Sequence, residues 1–249
     1  MRSLRSKILA LAALLVVLTQ FSTIGVVLLT TNREVSNRAD QILHKAGTIA
    51  GQLSAGRHIR LRSTGTVFAA DAQFRSAVKA RDTTAINALL SDHRDRAELD
   101  LALLLDADGH VLAGTESAGT QNLRFSELVR LAMTDGAAPA HISVNGHNYE
   151  VLTVQVGKPA PLAWLASGVL IDDAFARRLS ALTGLDVTLL GHIDDRPSIL
   201  GSSLNQLDGA TLLQDISAAH GDLGHALRIR TGSAEHLALL LPLIPDRPD

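Results

Sequence analysis

The sequence predicts an α+β fold in which a membrane-crossing helix and a long helical stalk lead into two modules, each an antiparallel sheet flanked by helices. Three observations carry that expectation. Residues 8–30, ILALAALLVVLTQFSTIGVVLLT, hold no charge. From Val35 to about residue 98 the apolar residues recur with a helical period. Beyond that point the chain turns to short apolar runs broken by Asp, Asn and Gly, the pattern of strands and tight turns.

The totals set the frame. With 249 residues, 46% of them hydrophobic and 19% charged, the chain can bury one sizeable core or two small ones. There are 23 basic and 25 acidic residues, but Arg2, Arg5 and Lys7 precede the apolar segment and every acid follows it. That imbalance, with aromatics at 3% and a single Trp164 and Tyr149, argues against a nucleic-acid partner, which needs a basic stripe and stacking platforms. The absence of cysteine removes disulfides, thiol nucleophiles and thiolate metal sites.

Residues 8–30, at about 1.5 Å per residue, are long enough to cross a hydrocarbon layer of roughly 30 Å. A cleaved signal peptide is the alternative, but its apolar core usually runs only about 7 to 15 residues before a small-residue cleavage site. The basic cluster ahead of the segment places the N-terminus in the cytoplasm and residues from about 32 onward outside the inner membrane, in a bacterium the periplasm. The expected divisions are a basic N-terminus (1–7), a membrane helix (8–30), a stalk with its helical cover (31–98), a membrane-distal module (99–171), a smaller membrane-proximal module (172–245) and a tail (246–249).

In the stalk, Val35, Ala39, Ile42, Ala46, Ile49 and Leu53 form the seam of a heptad helix. Two readings stay open: the seam pairs with a second copy in a homodimer, Val35, Ile42, Ile49 and Leu53 making the contact, or it packs on a sheet of its own chain. TVFAADAQFRSAVKA and TTAINALLSDHRDRAEL continue the helical pattern, with Thr83 or Thr84 expected as a cap.

LDLALLLDADGHVLAGT then reads as a strand, a turn from Asp106 to Gly109 and a return strand. Its two aspartates do not make a calcium loop, because the glycine comes too early and Ser117 stands where a closing glutamate is needed. RFSELVRLAMTDG is a short amphipathic helix opened by Ser126. In HISVNGHNYEVLTVQV, Asn145-Gly146 is a strong two-residue hairpin signal that sets Val144 against His147, Ile142 against Tyr149 and His141 against Glu150. Ile142, Val144, His147, Tyr149 and Val151 should share the apolar face, with His141 and Glu150 an exposed pair on the other. From Leu152 to Val156 the apolar phase shifts, so a bulge or burial on both faces is expected. PLAWLASGVLI closes a sheet with the layout of a PAS-like module.

Asp172 or Asp173 should cap the next helix, with Phe175, Leu179 and Leu182 on its apolar face and Thr183-Gly184 as its stop. LDVTLL, SILGSSL, the helix GATLLQDISAAHG, HALRIRT and HLALLLPLI then repeat the order of the first module at smaller scale. GVLIDDAFARRLSALTGLDVTLL with ILGSSL downstream resembles the double sensory, Cache-like periplasmic domain of bacterial transmembrane signalling proteins, the cyclic di-GMP cyclases and phosphodiesterases and some sensor kinases. Gly168, Asp172, Leu179, Leu182, Thr183, Gly184, Leu185 and Val187 carry the match. The resemblance implies two PAS- or Cache-like modules, and it makes Gly168, Asp172, Asp173, Thr183 and Gly184 the joint between them. LPLIPDRPD contains no second membrane span, so the expectation is the input part of a longer receptor or a free-standing relative.

No catalytic constellation emerges. GTESAG is not a nucleophile elbow, and His220 and His225 straddle a turn rather than share a helical face, so neither an enzyme, a metal site nor a cofactor is expected. The resemblance implies a small organic ligand of the amino-acid or carboxylate class held between sheet and covering helices. Tyr149 and Trp164 are the candidates to line that pocket, although buried aromatics mostly serve as core. Arg57, Arg60 and Arg62 are candidates to neutralise an anion, although charge runs mostly stay solvated. The expected function is ligand sensing by conformational change in a dimer; the alternative is a membrane-anchored protein-interaction module with no small ligand.

Overall fold

The computed structural model describes residues 4–116, 125–135, 137–193, 196–204, 209–218, 224, 226–231 and 234–241; the side chains of 4–19 and 21–37 lie outside that description. One helix, α1 (Leu4–Ala69), contains both the apolar segment and the stalk. Among the described residues no helix is long and apolar enough to cross a membrane; the side chains of residues 8–30, on which the expected span depends, fall almost wholly outside them.

Two short helices fold back beside α1. In α2 (Ala72–Ala80) the cap is Asp71, whose carboxylate accepts from the Phe74 backbone N–H, and Phe74, Ala77 and Val78 bury one face. In α3 (Thr83–Ala97) the cap is Asp82, which accepts from the Ala85 N–H at 3.0 Å, rather than Thr83 or Thr84. A carboxylate-bearing residue one position earlier satisfies the open helix end, so Thr83 becomes the first helical residue. Phe74 and Leu90, both 0% exposed, each contribute roughly 1.5–3 kcal/mol of burial to this cover.

The first sheet consists of β1 (Leu101–Leu105), β2 (Val111–Gly114), β3 (Ala137–Val144), β4 (His147–Val156) and β5 (Ala163–Ile171), in the order β2-β1-β5-β4-β3 and antiparallel throughout. Helix α4 (Ser126–Asp135) lies between β2 and β3 in sequence. Asn145 and Gly146 both take positive φ, 52° and 77°, and the hairpin register is the expected one, Ile142 opposite Tyr149 and His141 opposite Glu150. The phase shift after Leu152 is burial on both faces: residues 151–154 are all buried and the ladder continues without a slip. His147, placed by alternation on the apolar face, is exposed at the hairpin end.

Helix α5 (Asp173–Thr183) leads to β6 (Thr188–Ile193) and β7 (Arg196–Ser202), helix α6 (Gly209–Ala218), and β8 (Ala226–Thr231) with β9 (Ala234–Leu239). Among the described residues these strands pair as two separate hairpins, β6 with β7 and β8 with β9. Ile171, Phe175, Ala176, Leu179 and Leu189 form their own core. The stalk reaches this second unit too, since Gly47 of α1 faces the side chains of Leu239 and Leu241.

Candidate functional site

Strand alternation divides the first sheet into two faces with different partners. On one, Leu101, Leu103, Leu105, Tyr149, Val151, Trp164 and Ala166 pack with Leu128, Val129 and Ala132 of α4. Thr153 stands opposite Ala166 and so belongs to this face, diagonal to Trp164. Trp164 is 2% exposed and Thr153 0%, and neither Trp164 Nε1 nor Thr153 Oγ1 has a hydrogen-bond partner. Leaving such a group buried and unpaired costs about 1–3 kcal/mol, a cost that an acceptor brought by a ligand would remove. Burial, followed by the charges of Glu116 and Asp100, raises the Tyr149 phenol above its ordinary value, so it is neutral at pH 7.

The opposite face packs on α1, α2 and α3 through Leu61, Phe68, Phe74, Leu152, Val154 and Leu165. Gly65 of α1 faces this side of the sheet: a Cβ there would stand in ordinary van der Waals contact, 3.4 Å from Val154 Cγ2. Here the structure corrects the sequence reading of His141 and Glu150. His141 is exposed as expected, but Glu150 is 0% exposed and points at the stalk. Its Oε2 accepts from Arg57 at 2.9 Å, and its Oε1 bonds His58 Nε2. Burial alone would push the Glu150 carboxyl up, but the His58 hydrogen bond and the charges of Arg57, His58 and His141 outweigh it and hold the pKa below the ordinary value. The guanidinium of Arg57 also lies 4.0 Å from the centroid of the Phe175 ring on α5.

The expected ligand residues are therefore not brought together. Tyr149 and Trp164 line the face toward α4, while the three arginines lie on α1 against or beyond the other face. Arg57 is engaged with Glu150 instead of standing on a solvated face; Arg60 is exposed, 3.9 Å from Glu98; Arg62 donates to the Ala137 carbonyl at 3.4 Å. At the joint, Gly168 sits in β5 opposite both Leu101 and Val151. Asp172 caps α5 by accepting from the Phe175 N–H at 2.8 Å, and Asp173 accepts from the Ser202 N–H of β7 at 2.8 Å. Thr183 donates to the Leu179 carbonyl, and Gly184 closes the helix at φ 71°. A side chain at Gly201 would meet the Asp172 backbone at 2.4 Å, so β7 runs directly against the start of α5.

Of the stalk seam, Ile42, Ile49 and Leu53 are 52%, 40% and 37% exposed, Ala46 is buried, and the Val35 side chain lies outside the described residues. Ala46 is thus covered by the chain itself, while Ile42, Ile49 and Leu53 keep much of their apolar surface uncovered. The turn at Asp106 places its carboxylate near Asp108 and His110, but its oxygens already accept from the backbone N–H groups of Asp108 and His110 and meet the His110 ring. Turn chemistry accounts for the cluster. Ser117, His220 and His225 lie outside the described residues.

A helix-covered five-stranded antiparallel sheet, joined through a capped helix to a second, smaller α+β unit, defines a double-module sensory domain. The chain belongs to the double Cache family dCache_3, the double sensory domain of two-component sensor kinases, which matches residues 33–233. That family is defined by sensing rather than by catalysis. The fold is shared with the periplasmic domain of Vibrio cholerae LuxQ at a TM-score of 0.51 and 16% identity, covering 78% of this chain and 96% of that one. It is also shared with the ligand-binding domain of the Campylobacter jejuni chemoreceptor Tlp3 in complex with 4-methylisoleucine, at 0.53 and 11% identity over 80% and 82% of the two chains. No curated protein matches the sequence.

Proposed function

We propose that this chain is the periplasmic ligand-sensing input of a membrane-anchored bacterial receptor, with residues 99–171 and 172–245 as its distal and proximal modules. Residues 8–30 hold it in the inner membrane with the N-terminus cytoplasmic. The output in longer relatives is a histidine kinase or cyclic di-GMP turnover. The observation that supports ligand sensing most directly is the pair of unpartnered, buried donors, Trp164 Nε1 and Thr153 Oγ1, on one sheet face beside Tyr149. Two neighbouring donors suit a carboxylate or carbonyl oxygen, and a ligand of the amino-acid or carboxylate class carries one.

The test is the melting temperature of the full chain in detergent against a panel of amino acids and carboxylates, since a ligand that binds only the native state raises it, by about 2.7 kcal/mol of stability at 100 times Kd. One chemical class should produce a shift, and Trp164→Phe, which keeps a ring and removes the N–H, should abolish most of it. A panel without effect, together with a periplasmic protein that co-purifies in fixed ratio, would instead identify a protein-interaction module.

Signalling in this reading uses a homodimer joined along Val35, Ile42, Ile49 and Leu53, since exposed isoleucine and leucine at heptad spacing gain from a second copy of the same stripe. Ile42→Asp combined with Ile49→Asp should convert the dimer to a monomer in light scattering. An unchanged mass would remove the stalk from the interface.

A further inference from the structure

We propose that Arg57 is a positioning residue that couples the first sheet to the second module through the stalk helix. Its guanidinium makes two contacts at once, an edge contact at 2.9 Å to the buried Glu150 carboxylate of β4 and a face contact 4.0 Å from the centroid of Phe175 on α5. A planar cation does both: an N–H on its edge donates to one carboxylate oxygen while the flat surface lies on the ring. Each contact orients the group for the other.

What lies beyond each end makes the contact a connection between modules. Glu150 alternates along β4 with Tyr149, Val151 and Thr153, which line the α4 face, so a displacement of that strand by a guest on one side reaches Arg57 on the other. Phe175 is 5% exposed and held by the Asp172 cap, and the next residue along from that cap, Asp173, holds the Ser202 N–H of β7. The path therefore runs from β4 through Arg57 on α1 to α5 and β7. Arg178, with its guanidinium carbon 6.0 Å from the same ring, is the second cation near Phe175 among the described residues and lies on α5 itself, so it cannot report on β4. A role in signalling rests on the sensory reading above, but the contact and its test require no ligand.

The sequence has no cysteine, so Ala55→Cys on α1 and Arg177→Cys on α5, both exposed, accept a single pair of nitroxide labels in the full chain in detergent. Diluted with excess unlabelled chain, so that a dimer carries at most one labelled copy, the wild-type background should show one narrow inter-label distance. Glu150→Gln, which touches neither label nor α5, should broaden or lengthen it, and Arg57→Lys, which keeps the charge and loses the planar face, should do the same. If Glu150→Gln fails to fold, Glu150→Asp takes its place, with the same expectation because the shorter carboxylate retracts from Arg57. The wild-type distance retained in either the residue-150 variant or Arg57→Lys overturns the proposal. That result would leave a ligand response of the panel standing, and a silent panel would leave the distance result standing.

Discussion

Glu150→Ala is expected to cost about 3–5 kcal/mol of unfolding free energy at pH 7, the range for removing one partner of a buried ion pair. The cost comes mainly from what is left behind: Arg57, with its side chain 18% exposed, and His58, at 15%, lose their shared acceptor in a site that water reaches only partly. That residual access places the value toward the lower end of the range. Glu150→Gln keeps the shape and one acceptor oxygen and should cost less. The sign with pH follows from the lowered carboxyl. A group whose folded pKa lies below its unfolded value stabilises the fold above the unfolded value, here 4.5, and that contribution is lost as the pH falls through the folded value. Denaturant unfolding of the wild type and Glu150→Gln should therefore differ at pH 7 and converge below pH 4.5. An equal gap at both ends would mean that the carboxylate's charge contributes nothing.

Much of the architecture could be read from the residues because local chemistry determines it. Asn145-Gly146 needs positive φ at two successive positions and imposes one register, which paired His141 with Glu150 as the spacing requires. Asp172 and Gly184 bound α5 for equally local reasons. The burial of Glu150 is of another kind. Alternation shows that it shares a face with His141, but whether that face meets water or a helix depends on where residues some 90 positions earlier pack. Nothing within the hairpin carries that information. The signal available in the sequence was on the stalk: Arg57 and His58 are adjacent hydrogen-bond donors on a helix whose next buried apolar residue is Leu61, one turn on. A donor pair that close to a buried stripe calls for an acceptor on the surface it covers. The separation of Tyr149 and Trp164 from the arginines is likewise tertiary, because the parity of β4 and β5 puts the aromatics on the face that α1 does not cover. The cap at Asp82 was local and legible, since aspartate exceeds threonine as an N-cap.

His93 should make the fold lose stability on acidification in a higher window than Glu150, between pH 6.5 and about 4. Its ring stacks on Phe68 of α1 with centroids 4.1 Å apart and planes 3° from parallel, it is 5% exposed, and its Nε2 has no hydrogen-bond partner. Burial first, then the charge of Arg96, opposed by Asp92, lowers its pKa to about 4. In the unfolded chain the same imidazole takes up a proton near 6.5, whereas the folded protein refuses it until about 4. Across that window the unfolded state binds more protons, so stability rises with pH and is lost on acidification, by about 3 kcal/mol in all. Below about 4 both states are protonated and the loss is complete. His93→Phe keeps an aromatic ring against Phe68 and has nothing to protonate, so the His93 part of the loss between pH 6.5 and about 4 should vanish, leaving the losses from His141, whose pKa burial also lowers, and from Glu150. A wild type and a His93→Phe variant that lose stability in parallel through pH 6.5 to 4.5 would assign the acid sensitivity elsewhere. Divergence there and parallel loss below about pH 4 would separate the helical cover, which holds α1 to α3 through His93, from the Glu150 contact that holds α1 to β4.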